Sequence, residues 1–220
     1  LKRIIYKKSF SGDLTKKFRI NKNLNIDDLI KNLKKNFKIK NIENFVLNTG
    51  SYKIPSNWKW VKLSLLIELT SGQHIFPEDQ NKNSKGTPYL TGPSDFGEKF
   101  PIVSRWATKG KTYAIKNDIL IGVKGSVGKL NFCDLEKAYL GRQLMSIRTK
   151  LVNREYIYKF LESKYDFFNS MSKSQIPGIK RDTILNLEIP LPSVIEQNKI
   201  VKELNYLFEF LRVIEDEMQK

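Results

Sequence analysis

Three stretches of the sequence hold residue types that chemistry needs. The first is Gly122-Val-Lys124-Gly-Ser126-Val-Gly128-Lys129. A phosphate-binding loop of the Walker kind has four residues between its glycines and a Ser or Thr after its Lys. Here five residues separate Gly122 from Gly128, and Leu130 follows Lys129. Residues 127–132 also read as a strand, where a nucleotide loop would open a helix. The stretch is therefore expected to be a glycine-rich β-turn, whose backbone N–H groups, together with Lys124, Ser126 and Lys129, can come close to phosphates. The second stretch, Glu162-Ser-Lys164, has the E-x-K form found in nucleases. It lies inside a helical pattern, and no Pro-Asp pair precedes it closely. The third is His74, the one histidine, beside Gln73. With no G-x-S-x-G elbow, a Ser/His/Asp mechanism has nothing to build on. One His and one Cys (Cys133) cannot form a nitrogen–sulfur zinc site within one chain. A methyltransferase would need a glycine-rich cofactor loop and an Asn/Asp-Pro-Pro-aromatic motif, and neither occurs. No catalysis, cofactor or metal is expected.

Hydrogen-bond donors beside glycines remain. Gln73-His74, Arg142-Gln143, and Ser174-Gln175 with Lys180-Arg181 are three such clusters. Gln suits the edge of adenine and Arg or Lys that of guanine, because bidentate geometry matches. With Lys85, Lys124, Ser126 and Lys129 they form a candidate DNA-binding set, the cations positioning phosphates and a few loop residues reading the major groove. The overall charge agrees: 39 Lys+Arg against 23 Asp+Glu give +16. Residues 1–50 carry +9, residues 51–150 carry +8, and residues 151–220 carry −1. A polyanion partner thus belongs to the first two-thirds of the chain.

The elements that must position these residues are legible in outline. Apolar Leu1, Ile4 and Ile5, followed by Gly12, read as the close of a helix with its C-terminal glycine. Residues 25–38 read as a short helix, with Asn25 as cap, Asp27 and Asp28 in the first turn, and Lys34, Lys35 and Lys38 near the end. Residues 39–53 read as an irregular linker. Nine of the twelve glycines fall between Gly72 and Gly141, and there short apolar runs alternate with turns. Residues 118–123, 127–132 and 143–148 are strand candidates. Residues 153–171 read as one helix capped by Asn153. Ser193 followed by Glu196 reads as a capping box. Behind it Ile200, Leu204, Leu207, Leu211, Ile214 and Met218 recur at spacings of 4, 3, 4, 3 and 4. That is a heptad stripe for helix pairing, on a segment of four basic and six acidic residues. Such a helix suits a protein partner better than DNA. No window has 18 consecutive apolar residues, so no membrane helix is expected, and the single Cys fits the reducing cytoplasm. The fold class expected is α+β: a glycine-rich mixed or antiparallel sheet domain with peripheral helices, plus a long C-terminal coiled-coil-type helix.

Several segments together resemble the DNA-specificity subunit of type I restriction–modification systems. Ile54-Pro-Ser-Asn-Trp58-Lys-Trp-Val-Lys-Leu63 is similar to the family's opening of a target-recognition domain. Thr87-Pro-Tyr-Leu followed by Asp95 resembles its next strand and loop. Asn117-Asp-Ile-Leu-Ile-Gly-Val-Lys-Gly-Ser-Val-Gly128 resembles its "GDILI…G…G" hairpin, with Asn117 where the family has glycine. Ile189-Pro-Leu-Pro-Ser-Val-Ile-Glu-Gln197 resembles the "IPLPPxxEQ" that leads to the long spacer helix. Leu1–Thr15 resembles that helix's end, "ILxxAFxGxL".

The resemblance implies a boundary scheme: 1–19 the close of one spacer helix, 20–53 a linker with a short helix, 54–192 one recognition domain, and 193–220 the start of a second spacer helix. It implies a non-catalytic subunit that reads one half of a bipartite site on double-stranded DNA. It further implies docking of modification (methyltransferase) subunits and, through them, the restriction subunit. The helix would pair with an upstream half or with a second copy of the chain. The competing expectation is a non-catalytic interaction scaffold that binds nucleic acid nonspecifically.

Overall fold

The computed structural model describes residues 1–20, 22, 24–173 and 178–218. In chain order its elements are α1 (Lys2–Phe10), α2 (Lys16–Arg19), α3 (Asp27–Asn36), β1 (Val46–Leu47), β2 (Lys59–Lys62), β3 (Ile67–Ser71), β4 (Gln80–Asn81), β5 (Thr87–Leu90), β6 (Trp106–Ala107), β7 (Tyr113–Ile115), β8 (Ile119–Gly122), β9 (Leu130–Phe132), β10 (Lys137–Leu140), β11 (Leu144–Thr149), α4 (Arg154–Ser163), α5 (Tyr165–Ser170), α6 (Arg181–Leu185), β12 (Glu188–Leu191) and α7 (Val194–Met218). The α+β class is borne out. Two compact units form, one from residues 1–66, 151–163 and 187–220, the other from 67–150 and 164–186.

The first unit is helical around a small antiparallel sheet in the order β1-β2-β12. Within residues 39–53, expected to be irregular, Val46 pairs with Val61 and Leu47 with Trp60. α1 stops because Gly12 takes φ +84, a left-handed conformation that a side chain resists. At α3, Asn25 Oδ1 accepts from the Asp27 N–H at 2.7 Å, one residue ahead of the first capping position. α1 runs antiparallel to α7: Lys2 lies 3.8 Å from Glu215, and the Tyr6 and Phe208 rings meet edge-on at 5.0 Å. Phe10 wedges against Tyr156 and Phe160 of α4. Ile200, Leu204 and Leu211 of the heptad stripe are buried by this chain's own unit, Leu207 and Ile214 are half-buried, and Met218 is exposed. Tyr206, Phe210 and Val213 occupy the exposed side of α7.

The capping box at Ser193 is only half made. The Glu196 N–H donates to Ser193 Oγ at 3.4 Å, but the Glu196 carboxylate does not turn back. It is fully buried and accepts from Thr15 Oγ1 at 2.7 Å, Arg19 at 2.6 Å and Trp58 Nε1 at 2.8 Å. A buried carboxylate is tolerable when its charge is paired and its lone pairs are filled, and both conditions hold here. Gln197, also buried, donates to the Pro192 carbonyl and accepts from the Asn153 N–H. Three segments quoted above as family-like thus meet on one Glu-Gln pair.

The second unit holds two sheets. One is antiparallel, in the order β3-β11-β8-β9; the other is mixed, in the order β4-β6-β5-β10-β7, with β10 parallel to β5. Leu120 and Leu144 of the first sheet pack with Leu90, Ala114, Ala138 and Leu140 of the second. β8 is buried along its whole length, as its unbroken apolar run requires. Asn117 adopts φ +78 just before it, a conformation that Asn tolerates better than most residues, which accounts for its stand-in for the family's glycine. Asp118 is buried and accepts from Arg148 at 2.9 and 3.0 Å, Ser146 Oγ at 2.7 Å and the Ile115 N–H at 3.0 Å. That hydrogen-bonded pairing raises the pKa of Arg148. The helix expected over 153–171 is broken: Lys164 leaves helical geometry between α4 and α5.

Candidate nucleic-acid interface

Strand register decides where the candidate loops go. In the antiparallel sheet Ser71 of β3 pairs with Met145, Leu144 with Gly122, and Ile121 with Leu130. The loops after β3, before β11 and between β8 and β9 therefore leave from one end of one sheet. Gln73, Arg142-Gln143, and Lys124, Ser126 and Lys129 are carried on those loops, and all are exposed.

Close backbone crossings tie the loops together. Gly72 lies so near the Gly141 carbonyl that a Cβ there would sit 2.0 Å from the oxygen. The Gly72 N–H donates to the Leu144 carbonyl, the Gln73 N–H to Leu140, the Gly141 N–H to Leu90 and the Val123 N–H to Gln143. Gln143 folds over Gly92, where a Cβ would meet its Oε1 at 2.3 Å. The Thr91–Gly92 turn is fixed by Asp95, whose Oδ2 accepts from the Thr91 N–H at 2.6 Å and from its hydroxyl at 2.9 Å. The Ile179 N–H donates to the Val123 carbonyl, and Arg181, at the start of α6, donates to Ser71 Oγ at 3.4 Å. Lys180 precedes it, exposed.

The sequence-derived set is therefore brought together in large part. Gln73, Lys124, Ser126, Lys129, Arg142, Gln143, Lys180 and Arg181 gather at this end. Lys129 Nζ also reaches the Phe96 carbonyl at 3.5 Å. Ser174 and Gln175 lie outside the described residues. Lys85 is set apart: it sits in the β4–β5 turn, where its backbone exchanges hydrogen bonds with the Asn81 amide. That turn is at the opposite end of β5 from Thr91. His74 lines a cleft of about 300 Å³ that adjoins the cluster through Gln73, together with Phe76, Lys109, Lys111 and Thr112. Phe76, Lys109, Lys111 and Thr112 are missed by sequence reading, although Lys109-Gly-Lys111 is a signal of the same glycine-and-cation kind as the clusters that were chosen.

Fold and site together define a binding module of the α+β class, with cations and amide donors on tied loops and rigid carboxylates kept inside. The chain belongs to the family described as type I restriction modification DNA specificity domain, which matches residues 55–220. It is 26% identical over 191 residues to the type I restriction enzyme MjaVIII specificity subunit of Methanocaldococcus jannaschii, covering 76% of this chain and 44% of that protein. To the EcoDI specificity subunit of Escherichia coli it is 25% identical over 156 residues, 70% of this chain and 32% of that one. Its fold is like that of the HsdS subunit from Thermoanaerobacter tengcongensis, with a TM-score of 0.69, 23% identity, and 98% of this chain against 52% of that chain covered. The chain thus spans less than half the length of these two curated relatives. Among the described residues no helix is long and apolar enough to cross a membrane.

Proposed function

We propose that this chain recognises a sequence on double-stranded DNA as the non-catalytic specificity component of a type I restriction–modification complex. Residues 54–192 act as one target-recognition domain and read one half of a bipartite site. The loop cluster around Arg142 and Gln143 faces the duplex. Lys124, Lys129, Lys180 and Arg181 hold phosphates, while Gln73, Arg142 and Gln143 are aimed at base edges. Residues 1–19 and 193–220 belong to spacer helices that dock modification subunits, and through them the restriction subunit. The side of α7 carrying Tyr206, Phe210 and Val213 is the side available to such partners, including an upstream half or a second copy. The complex works in the cytoplasm, where the DNA is.

The observation that carries this reading is the gathering of donor-rich loops from three parts of the sequence at one sheet end, in a chain that belongs to a DNA specificity family. The test is methylation mapping in cells expressing the chain with its modification subunits. The expected result is a bipartite methylated motif, one half of which is lost or relaxed on Arg142→Ala or Gln143→Ala. A methylation pattern indifferent to the presence of the chain would overturn the reading.

A further inference from the structure

The cleft beside the loop cluster has a composition that phosphate contacts do not explain. Ile75 is buried against Tyr89 and Ala107, its carbonyl accepts from Gln80 Nε2 at 2.6 Å, and its backbone also hydrogen-bonds the Tyr89 hydroxyl. With Ile75 pinned, His74 and Phe76 on either side must point outward. Phe76 is 62% exposed, and the two rings meet edge-on at 5.4 Å. Phe76 therefore presents its ring to solvent from a loop that is held in place. The roughly 300 Å³ cleft is lined by these rings together with Lys109 and Lys111. Lys109 is engaged by Asp79 at 3.6 Å, whereas Lys111 is exposed and has no ion pair among the described residues. Thr112 lines the same cleft, and its buried Oγ1 has no hydrogen-bond partner among the described residues.

An aromatic face, a Gln amide, an imidazole and a rim cation are what an unstacked nucleobase with its flanking phosphates needs. We infer that this cleft holds a single base of the bound nucleic acid, taken out of the stack. Phe76 covers its face, Gln73 and His74 meet its edge, and Lys111 takes the adjoining phosphate. The inference rests on the DNA-binding reading above and names a base subsite within it. Such a subsite favours nucleic acid in which one base is already unpaired, because the cost of unstacking is then absent.

The experiment compares the full chain on two labelled oligonucleotides by fluorescence anisotropy: a fully paired duplex, and the same duplex with one unpaired adenine. The expected result is about tenfold tighter binding to the second, in the range that one base–aromatic stack supplies. Phe76→Ala should remove that preference, and Phe76→Trp should restore it. Because Phe76 is exposed, neither variant threatens folding. Equal binding to both oligonucleotides, unaltered by Phe76→Ala, would overturn the inference while leaving the DNA-binding reading intact. Failure to bind either duplex would sink both.

Discussion

Trp58 Nε1 donates a hydrogen bond to Glu196 Oε2 at 2.8 Å across 138 residues of sequence. The other carboxylate oxygen of Glu196 accepts from Thr15 and Arg19. The carboxylate therefore fastens the start of α7 to the turn after α1 and to the segment that leads into β2. Arg19 completes the assembly by donating to the Gly12 carbonyl at 2.6 Å and lying over the Trp58 ring. Because α7 also carries the exposed Tyr206, Phe210 and Val213, this joint holds the helix that presents them.

Removing the carboxylate should be costly. Glu196→Ala leaves the Arg19 guanidinium, 14% exposed, without its counter-charge and the Trp58 N–H without an acceptor. Breaking a buried pair from one side costs about 3–5 kcal/mol. Glu196→Gln keeps an acceptor for Trp58 and loses the charge pair, so it should cost distinctly less. Urea unfolding of the two variants measures this. Equal costs would mean that loss of the charge carries the whole effect and that the acceptor retained by Gln contributes nothing.

The loop crossings make a sharper prediction about two glycines. At Gly72 an added Cβ would meet the Gly141 and Leu140 carbonyl oxygens at 2.0 and 2.8 Å, and both belong to backbone that cannot swing aside. Gly72→Ala should destabilise the fold by about 3 kcal/mol, at the upper end of overpacking. Gly125 has φ +75 but open space around it, with only Gln143 Oε1 at 3.7 Å. Gly125→Ala should cost about 1 kcal/mol for its left-handed backbone alone. Denaturant midpoints distinguish the two, and the reverse order would contradict the packing described.

Cys133 is buried, and its thiol donates weakly to the Leu135 carbonyl. Burial raises its pKa from an ordinary 9.0 to about 11. A thiol whose folded pKa exceeds its unfolded value holds its proton more tightly when folded. Its contribution to stability is complete below about pH 9 and is lost as pH rises toward about 11. At pH 8 iodoacetamide should modify native Cys133 on the order of a hundredfold more slowly than the urea-unfolded chain, because the thiolate is the reactive form. Fast native labelling would show that the residue opens to solvent.

Strands β8, β9 and β11 were legible because apolar runs bounded by glycine and polar turns have few other readings. The pairing of Val46–Leu47 with β2 was not, since two residues carry no period. The break at Lys164 was hidden because Tyr156, Phe160, Leu161 and Phe168 keep helical spacing across it, and only the backbone shows the stop. The S-x-x-E pattern at Ser193 was misread for a physical reason. A Glu three residues into a helix can turn back to its cap or cross to a distant donor, and the choice depends on Trp58 and Arg19, which local sequence cannot see. The loop cluster was half legible: the types of Gln73, Arg142 and Gln143 suggested DNA, but their meeting follows from strand register. Thr112 was invisible, because an unsatisfied hydroxyl exists only once a fold surrounds it.

The loop cluster predicts two kinds of loss on DNA. Lys124 lies exposed on the β8–β9 turn, where it can reach a phosphate but is not pinned toward a base. Lys124→Ala should weaken binding to every duplex alike and lower the slope of log K against log salt by about 1. Arg142 sits on the Gly141 crossing, held by the Gly141 N–H to the Leu90 carbonyl at 2.7 Å, so its guanidinium starts from a fixed backbone. Arg142→Ala should cost about 1–3 kcal/mol on the cognate duplex and much less on a scrambled one, with the salt slope on the scrambled duplex nearly unchanged. Anisotropy titrations over a range of salt, on the mapped target and its scramble, separate the two effects. If both variants lost affinity equally on both duplexes, Arg142 would be a phosphate contact and base reading would have to be sought elsewhere in the cluster.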